Sequence, residues 1–449
     1  MQEKKKINLW QTILFSICGI LVLDSIASPA MIGVSAITMW IITAIVFFIP
    51  YGLVNAELGS TYPDDGGIAS WVQRAFGEKH AVLVGWYYWV NVAFWMPAVF
   101  VAFSSWFSMA FAPSASPWLL AAIAIVMCWL VVAIGIRGVD LSVAVSNIAA
   151  FCKVAIVVIM GILGVAYGVT RGFANDFSLS SFVPDMSHAT EYIAIIVYNL
   201  LGFELISSVG GDIENPKKNI PKMTVFAGLI VTVLYIMGTF GILAAIPVDN
   251  ISEADGFFYA IQELCSVFGP AQNAVFYVLI IVSMLTLVSN MVSWSMGAVE
   301  TLGAIGMEER SPKLLGHKSK KFGTNDYSYI VMGVISTVLI VVNFSLSGNA
   351  NDVFWNIFAF STLVFMLPYL WLFPAAWKLR KSDPGTERVY KAPALGLCVV
   401  LGEVCMAVAV FFLFYVPFDP LYHGMLIVGT IITTLIGFKL YNNGKKANK

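Results

Sequence analysis

The sequence predicts an all-α integral membrane protein with twelve transmembrane helices. Three observations carry this. Of the 449 residues, 59% are hydrophobic and only 11% are charged, less than half the charged share of an ordinary soluble domain. The apolar residues gather into runs of about 20, the length at which a helix crosses the hydrocarbon layer. The basic residues also sort: 23 of the 25 Lys and Arg fall at the two termini, in the even-numbered loops between runs, or at the run ends that border them. The positive-inside rule then puts both termini in the cytoplasm. A soluble fold would need helices apolar on every side, and the runs are too long for the strands of a barrel.

The runs follow in order. The first, 9–32, contains Asp24 as its one formal charge and the breakers Gly19 and Pro29. It is too long for the core of a cleavable signal. The second covers 36–58, and the loop 59–80 after it holds Trp71, Val72 and Phe76, which predict a short interfacial helix. The third, 81–111, carries Trp86-Tyr87-Tyr88-Trp89 and then Phe94-Trp95. The fourth covers 118–136, and the fifth, 143–168, contains Lys153. The sixth, 189–210, contains Tyr198, Gly202 and Glu204 and leads into Gly210-Gly211. The seventh covers 223–246; the loop 247–270 is expected to hold a second short helix. The eighth, 271–305, carries Trp294 and Glu300; the ninth covers 328–346; the tenth, 353–379, carries Phe354, Trp355, Phe358 and Phe360. The eleventh, 394–416, contains Glu403, and the twelfth covers 421–440. Five of the six cysteines lie inside runs and read as small hydrophobes, with no metal spacing.

Runs one and six correspond in carrying central breakers together with an intramembrane acid. They start five runs apart, and five is odd, so the second set enters the membrane from the opposite side. That is the pattern of an inverted repeat with discontinuous helices at the midplane. The expected organisation is a first repeat at 9–168 (helices 1–5), a second at 189–379 (helices 6–10), and peripheral helices 11–12 at 394–440.

A carboxylate at the depth of Asp24 costs roughly 2.5–3.5 kcal/mol on insertion scales. A cation must offset this, either a substrate or the buried-run lysine, Lys153. Lys153 has three readings at this level: a fixed charge replacing a sodium ion, a side chain snorkelling to the interface, or a partner for Asp24. Glu300 lies six residues after Trp294 and reads as a gate, a proton group or a vestibule residue; Glu403, outside the repeats, reads as an interface contact. The aromatics of helices three and ten could cover a cation, with Tyr88 and Trp89 nearer the site and Trp86 and Tyr87 as belt residues. No Walker motif, metal cluster or nucleophile arrangement occurs. The sequence therefore points to no enzyme, no ATP-driven pump and no cofactor. The basic clusters are topology determinants, which leaves no nucleic acid among the expected partners.

One stretch is more specific. Gly202-Phe203-Glu204 inside an apolar run, followed by Asn215-Pro216-Lys217-Lys218-Asn219-Ile220-Pro221, resembles the amino acid–polyamine–organocation (APC) transporter superfamily. Within it, the pattern is similar to bacterial amino acid/amine antiporters of the arginine/agmatine or agmatine/putrescine type. The similarity takes in Glu57 through Gly66-Gly67 and Trp71, Trp294 to Pro312, and Leu367-Pro368-Tyr369. The resemblance implies a LeuT-like five-plus-five inverted repeat with substrate held between helices one, three, six, eight and ten. It matches Tyr198 to a gating aromatic, Glu204 to an acid used in proton sensing or gating, and Trp294 to the aromatic that closes one side of the site. For Lys153 it implies sodium-independent transport.

One departure from the family sets the substrate expectation. Relatives that bind amino acids carry a Gly-Ser-Gly type stretch at the break of helix one, whose bare amides hold the substrate carboxylate. Here Val22-Leu23-Asp24 stand in its place, and a carboxylate within about 5 Å of Asp24 would be repelled. The expected function is therefore a secondary transporter that exchanges cationic amines such as putrescine or agmatine across the cytoplasmic membrane by alternating access. The alternatives are an amino acid/amine antiporter, such as tyrosine/tyramine, or a general amino acid permease. A receptor or channel would not carry paired breaker helices. The expected partners are a small cationic amine or amino acid and the lipid bilayer, with a homodimer as a further option.

Overall fold

The structure, a computed structural model, describes residues 6–252, 255–311, 313–345 and 359–447. Among these, ten helical segments are long and apolar enough to cross a membrane. The two other expected spans, the first and sixth, are present as interrupted helices, which completes the twelve.

Helix α1 (Leu9–Ile20) opens on a capping box in which Asn8 Oδ1 accepts from the Gln11 amide and Gln11 Oε1 accepts from the Asn8 amide. It stops at Leu21, whose backbone is extended (φ −78°, ψ 102°). The chain then turns irregularly until α2 (Ala27–Ala30). Helix α3 (Ser35–Thr43) passes through a π-helical turn (Ala44–Phe48) into α4 (Ile49–Thr61). Pro50, which has no N–H to give, follows that wider turn at once. The expected short helix of the second loop is α5 (Ile68–Phe76). Long helices α6 (Glu78–Phe111), α7 (Pro117–Ile136) and α8 (Val139–Arg171) follow. The sixth span is α9 (Met186–Asn199), a break, and a 3₁₀ stretch (Leu205–Asp212). Helix α10 (Pro216–Ala245) is the seventh span. The second expected short helix is α11 (Gly256–Leu264), ahead of α12 (Gln272–Ala304) and the single turn α13 (Met307–Arg310). Helix α14 (Asp326–Ser345) is the ninth span; α15 (359–366) and α16 (Tyr369–Ser382) make up the described part of the tenth. Helices α17 (Leu395–Phe414) and α18 (Pro420–Ala447) end the chain. The aromatics Phe354, Trp355 and Phe358 lie outside the described residues.

The two interrupted helices sit innermost. From Phe15 to Ala30 every residue is buried except Asp24, which is partly buried, and 196–210 is buried throughout. Helices α17 and α18 are the most exposed of the spans. Both termini and the even-numbered loops share one end of the bundle. There Ile7 pairs in a short parallel bridge with Ile213, Arg310 bonds Glu78 and packs on Gly444, and Lys217 meets Glu387 at 3.7 Å. The buried Glu57 at the end of α4 binds Arg380 and the Ala392 amide (2.8 Å) and lies 3.5 Å from Arg388. That knot ties α4 to the loop after α16. At the opposite end Arg171 donates to Ser266 O at 2.9 Å.

Candidate functional site

A helix that stops inside a bilayer leaves its last carbonyls without partners, and no water is at hand to satisfy them. At the break of α1 each is met by a side chain from another helix. Lys153 Nζ donates to Cys18 O (2.7 Å) and Leu21 O (2.5 Å), Trp294 Nε1 donates to Gly19 O (2.9 Å), and Tyr235 Oη lies 2.6 Å from Ile20 O. The third proton of Lys153 goes to Asn290 Oδ1 at 2.8 Å, so the ammonium has used all three donors. A fixed cation at a helix C-terminus also suits the helix dipole. Lys153 is fully buried, which overturns the snorkelling reading. Its three bonds go to neutral acceptors and none to Asp24.

Asp24 stands just past those carbonyls. Its Oδ1 is buried and has no hydrogen-bond partner among the described residues. It is close enough to Lys153, Tyr198 and Tyr235 to interact with each electrostatically. One amide of the break is already engaged, because Val22 N donates to Tyr235 Oη at 3.0 Å. Tyr235 Oη also lies 3.0 Å from Asn199 O, and Ser25 Oγ donates to Asn199 Oδ1 at 2.6 Å. Tyr235 and Asn199 thus cross-brace the two breaks.

The break in the sixth span is built around Glu204. Its carboxylate accepts from three tyrosines on three helices: Tyr51 on α4, Tyr88 on α6 (2.8 Å) and Tyr369 on α16 (2.6 Å). Tyr51 Oη also accepts the freed amides of Gly202 (3.1 Å) and Phe203 (2.9 Å). With both lone pairs occupied, Tyr51 must send its proton to Glu204. Gly202 has φ +130°, and a Cβ there would lie 3.1 Å from Ile20 and 3.2 Å from Trp294, so only glycine fits the turn without strain.

Between the two acids lies a packed aromatic wall. The Trp294 ring meets Tyr88 (6.0 Å between centroids), Trp95 (5.7 Å) and Phe365 (5.1 Å), and Tyr198 meets Trp95 (5.9 Å) and Phe365 (5.3 Å). The structure therefore brings Asp24, Tyr198, Glu204, Trp294, Tyr88 and Lys153 together around the two breaks. It places three other candidates elsewhere. Trp89 stacks on Trp86 (5.3 Å) and, with Phe360, lines an apolar groove against α18. Trp86 and Tyr87 are not belt residues: both are buried, bonding Thr433 O (2.9 Å) and Thr434 Oγ1 (2.7 Å) of α18. Glu300 borders a polar cavity of about 320 Å³ with Asp65, Arg137, Asp140 and Asp212, at the end of the bundle where the termini lie. Glu403 is partly buried on α17, with its Oε1 lacking a bond among the described residues.

Sequence reasoning missed Tyr51, Tyr235, Asn199, Asn290 and Phe365. The first four did leave a signal, since each is a hydrogen-bonding side chain in the middle of an apolar run, where it needs a stated partner. Phe365 left none.

A family model for amino acid permeases matches residues 7–436. A probable agmatine/putrescine antiporter of Lactococcus lactis is 32% identical over 389 residues, which is 86% of this chain and 82% of that protein. An aspartate/glutamate permease, also of Lactococcus lactis, is 24% identical over 386 residues, covering 80% and 76%. The crystal structure of the Eremococcus coleocola manganese transporter superposes with a TM-score of 0.65 over 98% of this chain and 93% of that one, at 11% identity, a likeness of fold alone. The chain is a transporter and not an enzyme, with the LeuT-like fold, and it belongs to the amino acid permease family of the APC superfamily.

Proposed function

We propose that the protein exchanges cationic amines, of the putrescine and agmatine class, across the cytoplasmic membrane by alternating access. The observation that carries this is Asp24: a partly buried carboxylate at the break of α1 with an unpartnered oxygen, beside a lysine whose protons are all spent on neutral acceptors. A substrate ammonium would supply the missing partner through a charge-assisted hydrogen bond. The negative charge of Asp24 speaks against a substrate carboxylate in the same place. The 32% identical relative named as a probable agmatine/putrescine antiporter supports the same substrate class.

In this reading Asp24, Tyr198, Trp294 and Tyr88 form the substrate pocket and Glu204 the gating or proton-handling group. Lys153 stands in for a coupling cation, so exchange is independent of sodium. The repeats divide at 9–168 and 189–379, with 394–440 peripheral, and both termini face the cytoplasm. The test is counterflow in proteoliposomes loaded with unlabelled putrescine, agmatine or amino acids and supplied with labelled putrescine. Expected is rapid exchange among diamines in sodium-free buffer. Free exchange of amino acids, with diamines neither moving nor competing, would overturn the substrate class. Full dependence on sodium would overturn the role given to Lys153.

A further inference from the structure

We propose that the groove between α6 and α18 is a binding site for one anionic phospholipid, with an acyl chain in the groove and the phosphate on Lys79 and Lys439. The groove encloses about 610 Å³ and is lined almost wholly by apolar side chains, among them Trp86, Trp89, Phe94, Phe360, Met425 and Ile432. Its lining on α18 runs from Pro420 to Ile436, about 24 Å at 1.5 Å per residue, more than the depth of one leaflet.

Both helices carry a lysine on the groove face at the same end. On α18, Leu421, Val428, Ile432, Ile436 and Lys439 recur at helical spacing. On α6, Lys79 lies two turns before Trp86 on the same stripe. Lys79 Nζ lies 4.9 Å from the centre of the Phe438 ring, next in sequence to Lys439, which sets both lysines at the same level of the bundle. The neighbouring acid, Glu78, is taken by Arg310. Lys79 and Lys439 therefore remain as cations with no acid bonded to them among the described residues. Basic residues at the head of an apolar intramembrane groove are the chemistry of an anionic headgroup site.

A second copy of this chain fits less well. Two copies related by an axis along the membrane normal would bring Lys79 and Lys439 of both to the same depth, setting four cations together. A concave face also cannot fill its own counterpart.

Two lysines at about 1 kcal/mol each correspond to about a 30-fold preference for an anionic over a zwitterionic lipid of the same chains. The experiment is native mass spectrometry of the full-length protein in detergent, titrated with equal amounts of dioleoyl phosphatidylglycerol and dioleoyl phosphatidylcholine. The wild type should retain one phosphatidylglycerol with that preference. The double variant K79Q/K439Q should retain both lipids equally. Gly424→Leu, at a groove position where a Cβ meets nothing within 4 Å, should retain neither lipid while keeping its lysines. Unchanged melting temperatures in lipid-free detergent would show that both variants are folded. Equal retention of the two lipids by the wild type, or an undiminished preference in K79Q/K439Q, would overturn the proposal. So would a lipid-free dimer that cross-links between copies through Leu421→Cys.

Discussion

Replacing Asp24 by Asn removes one charge and almost no volume. The wild-type Oδ1 makes no hydrogen bond among the described residues, so the substitution breaks no bond there. It also removes a carboxylate that the bilayer interior disfavours. The detergent-solubilised variant should therefore melt at or above the wild-type temperature. Its affinity for amines should fall. A hydrogen bond to a charged group contributes about 1.5–3 kcal/mol, and each 1.4 kcal/mol is tenfold, so the dissociation constant for putrescine should rise by about 10- to 150-fold. Equilibrium binding of labelled putrescine to the purified protein reads this directly, and counterflow confirms it in vesicles. Wild-type affinity in a normally melting variant would refute the assignment of Asp24 as the ammonium site. A large loss of melting temperature would show instead that the carboxylate is a structural group.

Lys153→Ala should strip the partners from Cys18 O, Leu21 O and Asn290 Oδ1, at about 1–3 kcal/mol for each buried acceptor; the variant should melt lower, and sodium but not choline should restore part of the loss by occupying the same oxygens. Tyr51→Phe should leave the Gly202 and Phe203 amides unpaired and slow counterflow, while Tyr88→Phe, which frees no backbone amide, should leave the melting temperature closer to wild type. Glu57→Ala should lower stability by about 3–5 kcal/mol, because Arg388 is only 4% exposed and would lose its carboxylate; denaturant or thermal unfolding in detergent measures this. Asp383, in the loop after α16, has its carboxyl held below the ordinary value by hydrogen bonds from Thr386 and Tyr62 and by the Arg388 charge. A depressed folded value means that the contribution is complete above the unfolded pKa of about 4 and is lost as pH falls through the folded one. Amide protection of 383–394, corrected for intrinsic exchange, should hold from pH 8 to 5 and fade only under more acidic conditions.

The membrane fold was legible because its cause is written one residue at a time. Runs of about 20 apolar residues have one stable fate in a bilayer, and the breakers in runs one and six mark where that fate is interrupted. Asp24, Lys153 and Glu204 stood out for the same reason: each is a charge in an oily run. What each one bonds was not legible. Lys153 could have reached Asp24, the interface or the carbonyls of α1, and only the packing of α8 against α1 and α12 decides for the carbonyls. Helix three shows the limit for aromatics. Tyr88 and Trp89 are adjacent in sequence, and a helix turns by about 100° between them, so one faces Glu204 and the other faces α18. Without knowing which neighbour lies on which side, the pair could not be separated.

The bracing of the two breaks by Tyr235 and Asn199 limits how this transporter can move. One hydroxyl on α10 touches the ends of both α1 and α9, and Ser25 is tied to Asn199, so moving the two broken helices apart from each other or from α10 would break these bonds. A sliding seam fits best where the contacts are rings rather than bonds, along the faces that Trp95 and Phe365 present to Trp294 and Tyr198, surfaces that can shear past one another without stranding a single backbone group in oil.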